Sequence, residues 1–314
     1  MIAHKGVVVH PDEITPTWED VITRSDIDIL GIHPVGGDGS HDRVRALARD
    51  GLPEAGADIA RRLASRGVGI EYELHVMSLL LPRELFPKHP EYFRLDEKGE
   101  RTADYNCCAS NADALEIIAQ NACELAKKLP SSTGRYCFWL DDVRDKYCHC
   151  PDCRELSASD QALAVYNAVQ RGVRRADPLA KQSYLAYCGA SELPRKVTPE
   201  DGIYLEYAPF DRNFKLPMAD PANAASAENA RLLAAFFGAR EGKVLEYWLD
   251  NSMFSGWKKP PKELHADSEL IKRDLEFYDS LGFGTVTTFA CYLGNDYESL
   301  YGAPDLGGYA VFGE

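Results

Sequence analysis

Residues 136–143 read YCFWLDDV, an unbroken apolar and aromatic run that ends abruptly in two carboxylates. Seven further short runs rich in Val, Ile, Tyr and Phe recur along the chain. They are GVVVH from Gly6, IDILGIH from Ile27, VGIEYELHV from Val68, QSYLAYC from Gln182, GIYLEYAPF from Gly202, KVLEYWLDN from Lys243 and GTVTTFACYL from Gly284. Longer segments of helical periodicity separate them, which is the rhythm of βα units around a parallel sheet. Eight such runs predict an α/β chain folded as a (β/α)8 TIM-type barrel.

The intervening segments carry helix punctuation. TPTWEDVITRSD opens with a Thr cap and a proline in the first turn, SNADALEIIAQNACELAKKL starts at a Ser/Asn cap, and SASDQALAVYNAVQRGVRRADP stops at a proline. SAENARLLAAFFGARE and ADSELIKRDLEFYDSLG follow the sixth and seventh runs, the latter ended by Gly282. The fifth connection, ASELPRKVTPED, is weak. The tail after the eighth run is too short for a full closing helix, so an irregular eighth unit, or completion of the barrel by a partner chain, is expected. Residues 1–314 are read as one domain, with a long loop at about 78–111 and a cysteine-rich loop at about 143–157.

Composition narrows the function. Hydrophobic residues make up 45% and charged residues 27%, the balance of a globular chain with a substantial core. A formal charge of −14 without any Lys/Arg-rich tract opposes binding to nucleic acid. Anionic ligands stay open, because Arg144, Arg212, Lys258 or Lys259 would suffice for a local positive pocket. The first residues lack the form of a signal peptide and no segment approaches a membrane span, so a cytoplasmic protein without membrane contact is expected. Nine cysteines, an odd number, argue for free thiols and one metal cluster over a disulfide framework.

Barrel enzymes assemble their sites at the carboxyl ends of the strands. Polar residues concentrate there: His10, His33, Glu73, His75, Asp141, Asp142, Tyr187, Glu206, Trp248, Asp250 and Tyr292, with Asn295 and Asp296 beyond. Asp141 and Asp142 are the primary candidates. Two carboxylates held close resist double ionisation, which leaves a general acid beside an anion, the pairing that glycosidic cleavage needs. The competing reading has Asp141 bound to a neighbouring arginine and Asp142 capping the next loop. Glu206 and Asp250 supply further carboxylates, with Glu206 taken as the third catalytic candidate. His33, Glu73, His75, Tyr187, Trp248, Asp250 and Tyr292 are expected to bind substrate, the aromatic members by stacking on sugar faces.

Just after the aspartates, YCHCPDC sets Cys148, Cys150 and Cys153 in a C-x-C-x-x-C arrangement. Three thiolates so close suit a tetrahedral soft-metal site, most simply structural zinc, that needs one more ligand. Cys108 in the long loop is the leading candidate, with Cys107 and His149 as alternatives. Cys123, Cys137, Cys188 and Cys291 fit helix or strand patterns as small core residues. No organic cofactor is expected: the Gly-rich HPVGGDGSHD lacks the spacing of a Walker loop or dinucleotide fingerprint and suits a substrate loop.

HPEYF, a following GER, NCCASN, then WLDD with CHCPDC and LAYCG resemble a bacterial domain family of unassigned function, similar to glycoside hydrolases. The likeness spans roughly residues 30–250 and implies a (β/α)8 barrel, sugar chemistry and a carbohydrate partner. The Asp-Asp pair is also similar to that of retaining β-N-acetylhexosaminidases, where the substrate's acetamido group is the nucleophile. Carried over, Asp141 would orient that group and Asp142 would serve as acid/base, although the cysteine loop departs from those enzymes. The expectation is a glycoside hydrolase acting on oligosaccharides. A metal-dependent hydrolase or isomerase and a non-catalytic sugar-binding barrel are the alternatives, and a homo-oligomer is compatible with each.

Overall fold

The computed structural model describes residues 1–313. Eight parallel strands close into a barrel in chain order: β1 (His4–Val9), β2 (Ile29–Ile32), β3 (Gly69–His75), β4 (Arg135–Trp139), β5 (Lys181–Ala186), β6 (Ile203–Tyr207), β7 (Lys243–Glu246) and β8 (Thr285–Phe289). The helices are α1 (Pro16–Arg24), α2 (Ser40–Asp50), α3 (Glu54–Ser65), α4 (Met77–Leu80), α5 (Ala112–Lys128), α6 (Ala158–Ala176), α7 (Ala224–Phe237), α8 (Asn251–Phe254), α9 (Ser268–Ser280) and α10 (Asn295–Tyr301). Each of the eight apolar runs is a strand, and the barrel is a TIM-type (β/α)8 fold. None of the described helices is long and apolar enough to cross a membrane.

The helix starts follow from the local sequence. Thr15 accepts the Trp18 N–H at the head of α1, and Asn111 accepts that of Ala114 at the head of α5. Ser157 and Asp160 form a reciprocal capping box on α6. The weak fifth connection has no α-helix, only a 3-10 turn at Cys188–Ala190.

By contact density the chain divides into two units: residues 1–35, 50–71 and 207–314, and residues 36–49 and 72–206. In the first unit β1 lies between β2 and β8. Val7, Val8 and Val9 are fully buried there, and β8 pairs with β1 from His4↔Thr285 to Val8↔Phe289. The ring therefore closes within one chain, and completion by a partner is not needed. The eighth unit is irregular as expected, since α10 has only seven residues. The tail compensates through Tyr309, whose buried hydroxyl accepts the Gly6 N–H at 3.2 Å and lies 2.8 and 2.9 Å from the Gly6 and Val286 carbonyl oxygens.

In the second unit, β4 runs beside β3 with Glu73↔Cys137 and His75↔Trp139 opposite one another. Outside this part of the sheet, α6 packs closely on α5. A Cβ at Gly172 would sit 2.2 Å from the Ala119 carbonyl oxygen and 2.8 Å from the Ala122 Cβ. The helices approach as they do because that position has no side chain. Gly172→Ala is expected to lower the chemical denaturation midpoint, because overpacking of about 1–3 kcal/mol outweighs roughly 1 kcal/mol of gained helix propensity. A midpoint at or above the native one would show that the two helices separate freely.

Candidate active site

In the first unit, the loops that follow β1, β7 and β8 enclose a polar cavity of about 190 Å³ lined by Asp12, Glu13, Lys259, Pro261, Tyr292, Gly294, Asn295 and Asp296. All these loops leave carboxyl ends of strands, the end at which barrel sites are built. Glu13 sits at the end of a 3-10 turn (Pro11–Glu13) and is 4% exposed. Its Oε2 accepts the Tyr292 N–H at 2.8 Å. Gly294 permits this closeness, since a Cβ there would lie 2.8 Å from the Glu13 Cγ.

Burial pushes the Glu13 carboxyl up to about 7, with the Asp12 charge adding to the effect and the Tyr292 N–H and Lys259 opposing it. Lys259 lies 3.9 Å from Glu13 and 2.8 Å from Asp296, with its ammonium 5.1 Å from the Tyr292 ring centre. Burial works against its charge, yet Asp296 and Glu13 hold Lys259 above the ordinary lysine value. Trp257, two residues earlier in the chain, is 65% exposed. Glu13 and Asp12 escaped the sequence reading because they lie past the strand end, in a turn that reads as surface. The acidic pair directly after His10-Pro11 was the available signal.

His10, His33 and Asp250 belong to the same unit. His10 Nδ1 lies 2.7 Å from the His33 carbonyl oxygen and 3.6 Å from the Cys291 sulfur, and burial holds its imidazole below the ordinary value. The His33 ring meets Phe289 edge-on at 5.3 Å. Asp250 caps α8, accepting the Ser252 and Met253 N–H groups, and burial raises its carboxyl. Trp248 is placed differently from expectation. Its indole N–H donates to Asp274 on α9 at 2.9 Å and its ring packs on Tyr278 and Tyr309, so it is a core residue and offers no sugar platform. Arg212 does not serve as a local cation for an anionic ligand: its fully buried side chain is paired with Glu246 at 2.6 Å and Asp274 at 2.7 Å.

In the second unit the adjacent aspartates part company. Asp141 is 7% exposed, and its Oδ2 accepts from the Arg83 guanidinium at 2.8 Å and the Asn106 N–H at 2.7 Å. His41 Nε2 lies 3.2 Å from the other oxygen. Asp142 is exposed. The expected close pair is thus divided between a buried, clamped carboxylate and a solvent-facing one, because successive side chains of an extended segment point to opposite sides even at the strand end. The arginine partner foreseen in the competing reading is Arg83.

His75 Nδ1 lies 2.5 Å from the Leu140 carbonyl oxygen with its ring 5.1 Å from Trp139. Asp141, His75, Tyr147, Tyr166, Tyr187 and Cys188 share a small cavity of about 20 Å³. That is room for about one water molecule. Glu206 is fully buried and accepts the Trp139 indole N–H at 2.7 Å, while Glu73 is fully buried on β3. The sulfurs of Cys108, Cys148, Cys150 and Cys153 come together in this unit, with Cys107 outside the cluster.

The model of a domain of unknown function, DUF4838, matches residues 56–235, more than half of the chain. The chain belongs to this family. No curated protein matches it. Among solved structures, it is similar to a beta-galactosidase from Rahnella sp. R3 at 12% identity and a TM-score of 0.52, over 91% of this chain and 50% of that one. It is similar to Gan42B, a GH42 beta-galactosidase, at 12% identity and a TM-score of 0.53, over 91% and 51%. The cellulose synthase subunit Z (CcsZ) from Clostridioides difficile matches at 10% identity and a TM-score of 0.51, over 98% of both chains. The chain spans about half the length of the two beta-galactosidases. At these identities the likeness is one of fold.

The raised Glu13 carboxyl makes stability depend on pH. Below about 4.3 the carboxyl is protonated in both folded and unfolded chains, and it has no effect. Between about 4.3 and 7 the unfolded chain ionises while folded Glu13 keeps its proton, so stability falls as pH rises, by roughly 4 kcal/mol once both are ionised. Glu13→Gln is therefore expected to match the native protein in urea denaturation at about pH 3.5 and to exceed it at about pH 8. Parallel curves at both pH values would mean that Glu13 ionises normally.

Proposed function

We propose that this chain is a carbohydrate-active barrel of the glycoside hydrolase type, with Glu13 as the acid/base carboxyl at the cavity formed by the loops after β1, β7 and β8. The observation that carries the proposal is geometric: a buried carboxyl opens onto a polar cavity of about 190 Å³ at the catalytic end of a TIM barrel. Hydrolysis of a glycosidic bond needs a carboxylic acid that holds its proton near neutrality and an anion that remains ionised. The burial of Glu13 supports the first role, and the exposed Asp12 in the same cavity suits the second. Lys259, Asn295 and Asp296 offer donors and acceptors for sugar hydroxyls, and the exposed Trp257 suits stacking on a sugar face. The solved beta-galactosidases of the same fold are consistent with this reading.

A second reading is favoured by the division of the β4 aspartates. Two neighbouring carboxylates in opposite environments are how one site separates two roles. In this reading Asp141, clamped by Arg83 and the Asn106 N–H, would orient the substrate, and the exposed Asp142 would be the acid/base. On this reading the reaction would be substrate-assisted retaining hydrolysis of N-acetylated sugars, with Glu206, buried near the end of β6, as the further carboxylate of that half.

Aryl glycosides with and without an N-acetyl group separate the two. If Glu13 is the acid/base, Glu13→Gln lowers kcat/KM by about 100-fold or more while Asp142→Asn retains it. The opposite ranking, confined to N-acetylated substrates, selects the β4 pair. Oligosaccharide binding by calorimetry without turnover of any glycoside would end the hydrolase proposal in favour of a binding barrel.

A further inference from the structure

Four cysteines from two loops of the second unit converge. Cys108 lies at the end of the long loop before α5, and Cys148, Cys150 and Cys153 lie in the loop between β4 and α6. They are 3, 1, 3 and 0% exposed, and their four sulfurs all lie within 4.8 Å of one another. Cys108 Sγ is 3.6 Å from that of Cys150 and 3.8 Å from that of Cys153. A disulfide would bring two sulfurs to about 2.05 Å. Ligands at about 2.3 Å around one tetrahedral zinc stand about 3.8 Å apart. The spacing is therefore that of thiolates around a shared ion.

The surroundings suit thiolates. The Leu95 N–H donates to the Cys148 sulfur at 3.3 Å, and an Arg101 guanidinium nitrogen lies 3.8 Å from it. The Ser110 hydroxyl lies 3.2, 3.4 and 3.6 Å from the sulfurs of Cys153, Cys108 and Cys150. A zinc tetrathiolate carries a formal charge of about −2, which donors and a nearby cation offset. With four protein ligands no coordination position is left for substrate or water, so such a centre is structural.

We propose that Cys108, Cys148, Cys150 and Cys153 hold one zinc ion as a closed tetrathiolate centre that staples the loop after β3 to the loop after β4. Four hydrogen bonds lie along the same seam. The His149 N–H donates to the Leu95 carbonyl at 2.8 Å. Asn106, two residues before Cys108, donates its N–H to Asp141 Oδ2 at 2.7 Å, and its side-chain oxygen accepts the Asp141 N–H at 3.0 Å. Its amide nitrogen donates to the Lys146 carbonyl at 3.0 Å. By fixing Cys108, the metal fixes Asn106, and so half of the clamp on Asp141. Asp141 is held in place whichever carboxyl performs the chemistry, so this inference stands apart from the proposed function.

The test is metal analysis of the full chain purified under reducing conditions without added metal. One zinc per chain is expected. Cys148→Ser and Cys150→Ser should retain less than about a tenth of it, while Cys107→Ser, next to a ligand but outside the cluster, should retain all. Should the ligand variants fail to fold, the native chain still decides the matter: exchange with cobalt(II) alone should give thiolate-to-metal charge-transfer absorption and tetrahedral ligand-field bands. Removal of the ion by a chelator should open the segment between Arg83 and Tyr105 to limited proteolysis, and zinc should restore its resistance. Absence of stoichiometric metal together with no cobalt–thiolate absorption, stoichiometric iron in place of zinc, disulfides among the four cysteines in the native protein, or equal loss of metal from Cys107→Ser would each overturn the proposal.

Discussion

The parallel ladder between β8 and β1 is the contact on which the rest of the molecule depends. An open parallel sheet leaves two rows of unpaired backbone donors and acceptors, and covering them costs further structure. Pairing from His4↔Thr285 to Val8↔Phe289 removes both edges at once. It also fixes the strand register around β1, so the loops after β1 and β8 emerge beside each other. The Glu13 cavity follows from that adjacency. The Tyr292 N–H reaches the Glu13 carboxyl because the two loops leave paired strands, and Gly294 removes the atom that would hold them apart.

Charge burial shapes both halves of the chain in different ways. Asp141 is buried with an arginine, a backbone N–H and a histidine around it, so its desolvation is offset by charge-assisted hydrogen bonds. Glu13 is buried with backbone donors and a more distant ammonium that offset only part of the desolvation, and the remaining cost appears as retention of its proton. A firmly held anion serves orientation, and a carboxyl near neutrality serves proton transfer. Arg212 shows the structural counterpart: fully buried between Glu246 and Asp274, it binds α9 to β7.

The loop after β3 is long for a barrel connection, yet it is well tied. Arg94 pairs with Asp104 through two hydrogen bonds, Arg83 reaches Asp141 and the Asn106 carbonyl, and a short bridge joins Leu95 to Arg101. These polar ties add to the burial of Leu80, Leu81, Tyr92 and Phe93 in the same segment. Its ordering is what brings Cys108 to the three cysteines of the next loop.

The sequence by itself determined the barrel. Eight apolar runs such as YCFWLDDV, spaced by capped amphipathic segments, admit few other arrangements, because their periodicity is local and each run announces its own element. It also determined three of the clustered cysteines, whose spacing is written in seven consecutive residues. Only the tertiary structure decided the rest. Neighbouring letters made Asp141 and Asp142 look like one site, but the turn after β4 sends one inward to Arg83 and leaves the other in solvent. Trp248 looked like a rim aromatic, and α9 claimed it through Asp274. Glu13 carried no motif at all; its raised carboxyl comes from burial under loops that also bring Tyr292 and Lys259, some 250 residues or more away along the chain, against it. A carboxyl's environment is made by what folds against it, and burial and charge from distant segments have no local signature.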